Sequence, residues 1–227
     1  MVHPLDRPVW NCLNGPQAAL AVLSGSVVRL DPAIGPFAAA VDAGAAAQSA
    51  LAALLAKPDA QIWTVESEAW PAPPGARTDM YMPLVQMTAD AVPPPDADFV
   101  CGPLGEADAD DMTALVMATK PGPWGTRTWA FGGYLGVRAE GRLIAMAGTR
   151  MWPCAEWREV SAVCTDPDYR GRGLAAALIR VIAAEFARSG TRTFLHCHAE
   201  NAGAIRLYEA LGFRIRRQMV ATKFVRA

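Results

Sequence analysis

The chain has no stretch of the roughly 20 consecutive apolar residues that a bilayer-spanning helix needs. Its longest alanine-rich run, 43–56, is broken by Gly44, Gln48 and Ser49. It has no excess of either charge. Lys plus Arg number 21 and Asp plus Glu 22, a net of −1, so nothing in the overall balance favours nucleic acid or an anionic membrane as a partner. It has no Cys-x-x-Cys pair. Cys12, Cys101, Cys154, Cys164 and Cys197 are scattered and odd in number, which argues for reduced thiols and a cytoplasmic protein rather than a disulfide framework. The opening 1–10 contains Pro4, Asp6 and Pro8 and does not read as a secretory leader. Neither Gly-x-x-x-x-Gly-Lys nor Gly-x-Gly-x-x-Gly occurs, which removes the nucleotide P-loop and the dinucleotide fingerprint. Histidine is scarce. His196 and His198 flank Cys197 on one face of a strand, but no third or fourth ligand accompanies them, so no metal is expected.

What the chain does have is core. Apolar residues make up 52% of its 227 residues, enough for one large domain or two small ones. Residues 91–98, with three consecutive prolines, read as a linker. They divide an N-terminal half, 1–90, from a C-terminal domain, 99–227. In the first half the pattern predicts a helix over 16–23 closed by Gly25, a strand over 27–30, a helix over 45–57 stopped by Pro58, and strands over 61–65 and 81–87. In the second it predicts a strand over 99–104 and a helix over 108–119. Strands follow over 134–139, 142–149 and 156–164, the first two joined by Glu140-Gly141. A long amphipathic helix over 173–188 carries Leu174, Leu178, Val181, Ile182 and Phe186 on one stripe and ends at Gly190. A strand over 193–197, a helix over 201–211 and one or two closing strands over 213–225 complete the order.

Two runs carry chemistry. The first, Val163-Cys164-Thr165-Asp166-Pro167-Asp168-Tyr169-Arg170-Gly171-Arg172-Gly173-Leu174-Ala175, joins a strand to the long helix. Gly171 and Gly173 let backbone approach a ligand. The unpaired N–H groups of the helix's first turn point at the same place, and their dipole favours an anion. Arg170 and Arg172 add positive charge. The second run is Asn201-Ala202-Gly203-Ala204-Ile205-Arg206-Leu207-Tyr208-Glu209-Ala210-Leu211-Gly212-Phe213, with Asn201 as helix N-cap and Gly212 as C-terminal stop. Alone, either run is also a plain structural element: a surface turn, or a helix with a buried tyrosine.

Together the two runs resemble the GNAT N-acetyltransferase superfamily. Residues 170–175 match its acyl-CoA signature, Gln/Arg-x-x-Gly-x-Gly/Ala, and 201–213 match its Asn-x-x-Ala-x-x-Leu-Tyr-x-x-x-Gly-Phe run. The first half, opening on Leu5-Asp6-Arg7-Pro8-Val9-Trp10, resembles a degenerate copy of the same fold. That arrangement is similar to bacterial two-halved members akin to glycine N-acyltransferases. The resemblance implies an α/β (α+β) GNAT fold with a mixed, mostly antiparallel sheet flanked by helices. It implies acetyl-CoA as cosubstrate, held by Val163, Cys164, Thr165, Arg170, Gly171, Arg172, Gly173, Leu174, Ala175, Asn201 and Tyr208, with the strand 161–165 splayed from its neighbour.

The implied reaction is direct attack of an amine on the thioester. A primary amine is mostly protonated at pH 7, so it needs a base. Glu159 is the candidate, acting through water on the strand face it shares with Trp157 and Ser161. Tyr208 matches the position that protonates the departing thiolate, and backbone N–H near Val163 and Cys164 would polarise the thioester carbonyl. Cys164 is not expected to act as a nucleophile, since nothing near it in sequence depresses its pKa. Trp124, Trp129 and Phe131 lie in the 121–133 loop, either as acceptor wall or as core anchors. The expected partners are acetyl-CoA and an amine acceptor, with the chain a monomer or homodimer. A small amine or amino acid, a protein N-terminus or lysine, and a non-catalytic acyl-CoA sensor are the three functional readings.

Overall fold

The computed structural model describes residues 3–227. An eight-stranded sheet is assembled from both halves of the chain. Its strands are β4 (Gln61–Glu66), β5 (Ala76–Ala89), β6 (Gly102–Leu104), β7 (Tyr134–Ala139), β8 (Arg142–Thr149), β9 (Trp157–Thr165), β10 (Arg192–His198) and β11 (Arg214–Arg226), in the order β4-β11-β5-β10-β9-β8-β7-β6. Only β9 and β10 run parallel, and every other neighbouring pair is antiparallel. A smaller antiparallel sheet, β1 (Ala21–Ser24), β2 (Val27–Leu30) and β3 (Ala38–Ala40), is tied to the large one by a bridge between Phe37 and Trp63.

The helices are α1 (Pro8–Leu13), α2 (Ala45–Ala53), α3 (Ala109–Thr119), α4 (Leu174–Arg188) and α5 (Ala202–Ala210). In α4 the residues Leu178, Ile182 and Phe186, each four apart, are fully buried with Ile179 and Ala183 beside them. Each such burial contributes about 1.5–3 kcal/mol. Arg188 sits in the last turn and Gly190, at φ 72°, takes the left-handed conformation that stops the helix. Helices α4 and α5 cover one face of the sheet with Val160, Leu195 and Cys197, while α1 and α3 cover the other with Phe194 and Ala162. Among the described residues no helix is long and apolar enough to cross a membrane.

Several sequence expectations are corrected. Residues 16–23 are not a helix: a short 3-10 turn at Ala18–Leu20 leads into β1, because pairing with β2 overrides the helical preference of alanine and leucine. Helix α1 and strand β3 were not anticipated. The strand expected over 99–104 shortens to Gly102–Leu104, and the closing segment is one long strand with a bulge between Ile215 and Arg217.

The proline run 91–98 separates the two halves in sequence but not in hydrogen bonding. Strand β5 lies between β10 and β11, and β11 pairs only with β4 and β5. A fragment of residues 99–227 therefore leaves β11 without a ladder and one side of β10 open. We expect it to show no cooperative thermal transition by circular dichroism. A cooperative transition at the full chain's temperature would contradict this.

Candidate active site

Among the described residues the one parallel ladder between strands of the large sheet is short. Arg192, Thr193 and Phe194 of β10 pair with Trp157, Arg158 and Glu159 of β9, and there the ladder ends. Beyond it β10 stays with β5 as far as His198–Leu84, and β9 stays with β8 as far as Thr165–Ala145. The two strands thus diverge and open a wedge. A bulge in β9, with Ala162 at φ 51° and a register shift opposite Met146 and Gly148, re-aims the strand where the wedge opens.

A cavity of about 910 Å³ occupies this wedge, within the size range of small-molecule sites. It gathers every residue assigned from sequence to catalysis or to the cosubstrate. Glu159, Val163, Cys164 and Thr165 come from β9; Arg170, Gly171, Arg172 and Gly173 from the turn; Leu174 and Ala175 from α4; Asn201 and Tyr208 from α5 and its cap. At the turn, Gly171 and Gly173 both take φ 76°, and a Cβ on either would meet open space, so the backbone conformation requires glycine there, not crowding. Gly173 is the N-cap of α4 and offers no side chain. The first intrahelical bond is Ala177 N–H to Gly173 C=O, so the amides of Leu174, Ala175 and Ala176 have no helical acceptor. Arg172 stacks on Tyr169, its guanidinium carbon 4.6 Å from the ring centroid. Asn201 caps α5, its Oδ1 accepting from Ala204 N–H at 3.0 Å. Open donors, left-handed glycines and two arginines at one mouth suit the phosphates of a CoA-type ligand.

Glu159 is buried, at 3% exposure. Its Oε2 accepts from Met151 N–H at 3.2 Å and its Oε1 lies 2.8 Å from His196 Nδ1. The histidine's proton is assigned by what surrounds it. Arg216 Nη1 can only donate and meets Gln86 Oε1 at 2.7 Å; Leu5 C=O can only accept and meets Gln86 Nε2 at 2.8 Å. The amide nitrogen of Gln86 therefore faces His196 Nε2, 3.0 Å away, and that ring nitrogen must accept. Nδ1 carries the hydrogen and gives it to Glu159 Oε1. The chain continues outward through Arg216 to Asp6 at 2.6 Å, joined there by Arg217 at 2.8 Å. Burial raises the Asp6 carboxyl, but the hydrogen bonds from Arg216 and Arg217 outweigh it and hold the group below its ordinary value.

Burial raises the Tyr208 phenol above its ordinary pKa, with Cys197 adding to the shift, so the hydroxyl stays protonated. Trp124 anchors the 121–133 loop, its Nε1 donating to Thr113 Oγ1 at 3.1 Å and its ring edge-on to Tyr134. From that loop it is Pro121, Gly122 and Pro123 that reach the cavity, with Lys120 before them, and not the aromatics. The sequence reading did not pick out the far wall: Phe37, Trp63, Val65, Met82 and Leu84 from the first half, and Arg150 after β8. It also missed Gln86, a lone amide inside the apolar run Leu84-Val85-Gln86-Met87, which was a readable signal.

Burial pushes the Cys164 thiol up to about 11, with Thr119 and a backbone group only partly offsetting it. A raised thiol pKa favours the neutral form, and the reactive thiolate forms only as pH climbs towards that value. Alkylation of Cys164 in the folded protein, followed by peptide mass spectrometry, should be negligible at pH 7.5 and rise steeply above pH 10. Rapid labelling at neutral pH would contradict the burial argument.

The model for the Acetyltransferase (GNAT) family matches residues 106–213. N-alpha-acetyltransferase RimI of Mycobacterium tuberculosis is 32% identical over 139 residues, 56% of this chain and 83% of that protein. The [ribosomal protein bS18]-alanine N-acetyltransferase of Escherichia coli K12 is 34% identical over 97 residues, 40% of this chain and 64% of that protein. Among solved structures, a GNAT-family protein from Novosphingobium aromaticivorans DSM 12444 superposes over all of both chains with a TM-score of 0.93 and 54% identity. With the mixed sheet, the wedge and the open helix start, these likenesses establish that the chain belongs to the GNAT family of acetyl-CoA-dependent N-acetyltransferases.

Proposed function

We propose that the chain moves an acetyl group from acetyl-CoA to the primary amine of a small molecule or amino acid by direct attack. Glu159 serves as base and Tyr208 as acid. The observation that carries this is the convergence on one cavity of a buried carboxylate oriented by Met151 N–H and His196, a protonated phenol and an open helix N-terminus.

Acetyl-CoA supplies the thioester. Leu174, Ala175 and Ala176 hold its phosphates through their free amides, with Arg170 and Arg172 alongside, and the unpaired edge of β9 at 163–165 orients the pantetheine arm. Glu159, fixed by Met151 N–H and the Nδ1–H of His196, takes the proton of the amine, directly or through one water. The amine nitrogen bonds to the acetyl carbon as the carbon–sulfur bond breaks, Tyr208 gives its proton to the leaving sulfur, and the second proton that the nitrogen sheds on becoming an amide passes to water and restores Tyr208. The N-terminal half serves the acceptor side, since Phe37, Trp63, Met82 and Leu84 wall the cavity and no phosphate turn occurs in that half.

The likeness to the bS18-alanine N-acetyltransferase favours a second reading, acetylation of a protein N-terminus. The apolar wall that the first half adds to the cavity supports the smaller acceptor.

Thiol release from acetyl-CoA against a panel of amines tests both roles. Glu159→Gln should lower turnover about 10²–10⁴-fold at neutral pH, with partial recovery at high pH as free amine increases. Tyr208→Phe, which removes one hydroxyl and keeps the packing against Phe213, should lower turnover roughly 10- to 1000-fold at unchanged acetyl-CoA affinity. Wild-type pH profile and turnover in either variant would remove that residue from the reaction.

A further inference from the structure

Arg150 is a buried cation without an anion. It is 8% exposed and lines the active-site cavity. Its Nε has no hydrogen-bond partner, and its Nη2 makes one long bond, to Pro123 C=O at 3.4 Å. Its guanidinium lies 5.4 Å from the centre of the Phe37 ring, a contact that does not neutralise charge. Among the described residues no carboxylate pairs with it. The nearest acid along the ladder, Glu159, has both oxygens engaged by Met151 N–H and His196. An uncompensated buried charge is costly, and such a group calls for a partner. A second unsatisfied donor lines the same cavity, the indole N–H of Trp63.

The position of Arg150 says what that partner is. Its backbone N–H donates to Glu159 C=O at 3.2 Å, and Glu159 N–H donates to Met151 C=O at 2.8 Å. Base and cation therefore stand side by side, Glu159 on β9 and Arg150 just past the end of β8, and both line one cavity. A ligand whose amine meets Glu159 presents whatever is bonded next to that amine to Arg150. Guanidinium pairs best with a planar anion, above all a carboxylate. The remaining wall, Phe37, Trp63, Val65, Met82 and Leu84, is apolar.

We propose that Arg150 binds the carboxylate of the acceptor, so that the amine acetylated here is that of a free α-amino acid with an apolar side chain. The proposal rests on the reading of the cleft as an amine acetyltransferase. It distinguishes a free amino acid from a protein N-terminus, whose first residue has no carboxylate beside its amine.

The test uses wild-type protein with four acceptors of one side chain: free leucine, leucinamide, isoamylamine and a peptide beginning with leucine. It follows thiol release from acetyl-CoA. Leucine should exceed leucinamide and the peptide in kcat/KM by about 100-fold, mostly through KM. Arg150→Gln should lower kcat/KM for leucine by a similar factor and bring the ratio of leucine to leucinamide close to one, while Arg150→Lys should restore part of it. Leucinamide or the peptide matching leucine in the wild-type protein would overturn the carboxylate assignment and leave the acetyltransferase reading standing. No thiol release with any of the four, in protein that still binds acetyl-CoA, would overturn both.

Discussion

The site depends on one constraint, the early end of the only parallel ladder in the sheet. At Glu159 and Phe194 the backbones of β9 and β10 stop pairing, and beyond that point β10 is held by β5 and β9, apart from its bulge at 162–163, by β8. The wedge stays open because β8 and β5 hold the two diverging strands apart. Strand β5 belongs to the first half of the chain, so the geometry of the second half's cleft rests on residues before the proline run. The bulge at Ala162 then turns the free edge of β9 into the cleft, and the turn at 171–173 delivers the open start of α4 to the same mouth.

At the vertex of the wedge the electrostatics are fixed from a distance. His196 has both ring nitrogens committed, one to Glu159 and one to Gln86, so it orients the base. Gln86 is fully buried, and its amide is held in one orientation by a donor-only arginine and an acceptor-only carbonyl. A network of this kind is favourable only when each member is satisfied. Here satisfaction runs from Glu159 to Asp6, a residue of the opening segment. The first half thus contributes twice, by hydrogen bonds that hold the base and by the apolar wall that encloses the acceptor.

Much of this was legible in the sequence, and the rest was hidden for identifiable reasons. The run 170–175 and the helix expected over 201–211 could be read because caps, glycines and amphipathic spacing are local. Asn201 and Gly212 sit where local rules put them. Helix α4 was read to within a residue. The pairing of β5 with β10 and β11 was not legible, because a proline run looks the same whether it links two bodies or crosses one sheet. Residues 16–23 misled because their helical composition yields to a tertiary strand partner. Glu159 was chosen from strand alternation, yet its burial and its histidine partner are products of packing. The isolation of Arg150 is a fact about the whole fold, since a missing counter-ion has no sequence signature.

The central claim is that the wedge between β9 and β10 is where acyl-CoA meets the base. The most direct measurement is a crystal structure of the full chain with acetyl-CoA bound. The account predicts the pyrophosphate against the amides of 174–176, the pantetheine arm along β9 at 163–165, and the thioester between Glu159 and Tyr208. Density for acetyl-CoA elsewhere, or a thioester remote from Glu159, would contradict it.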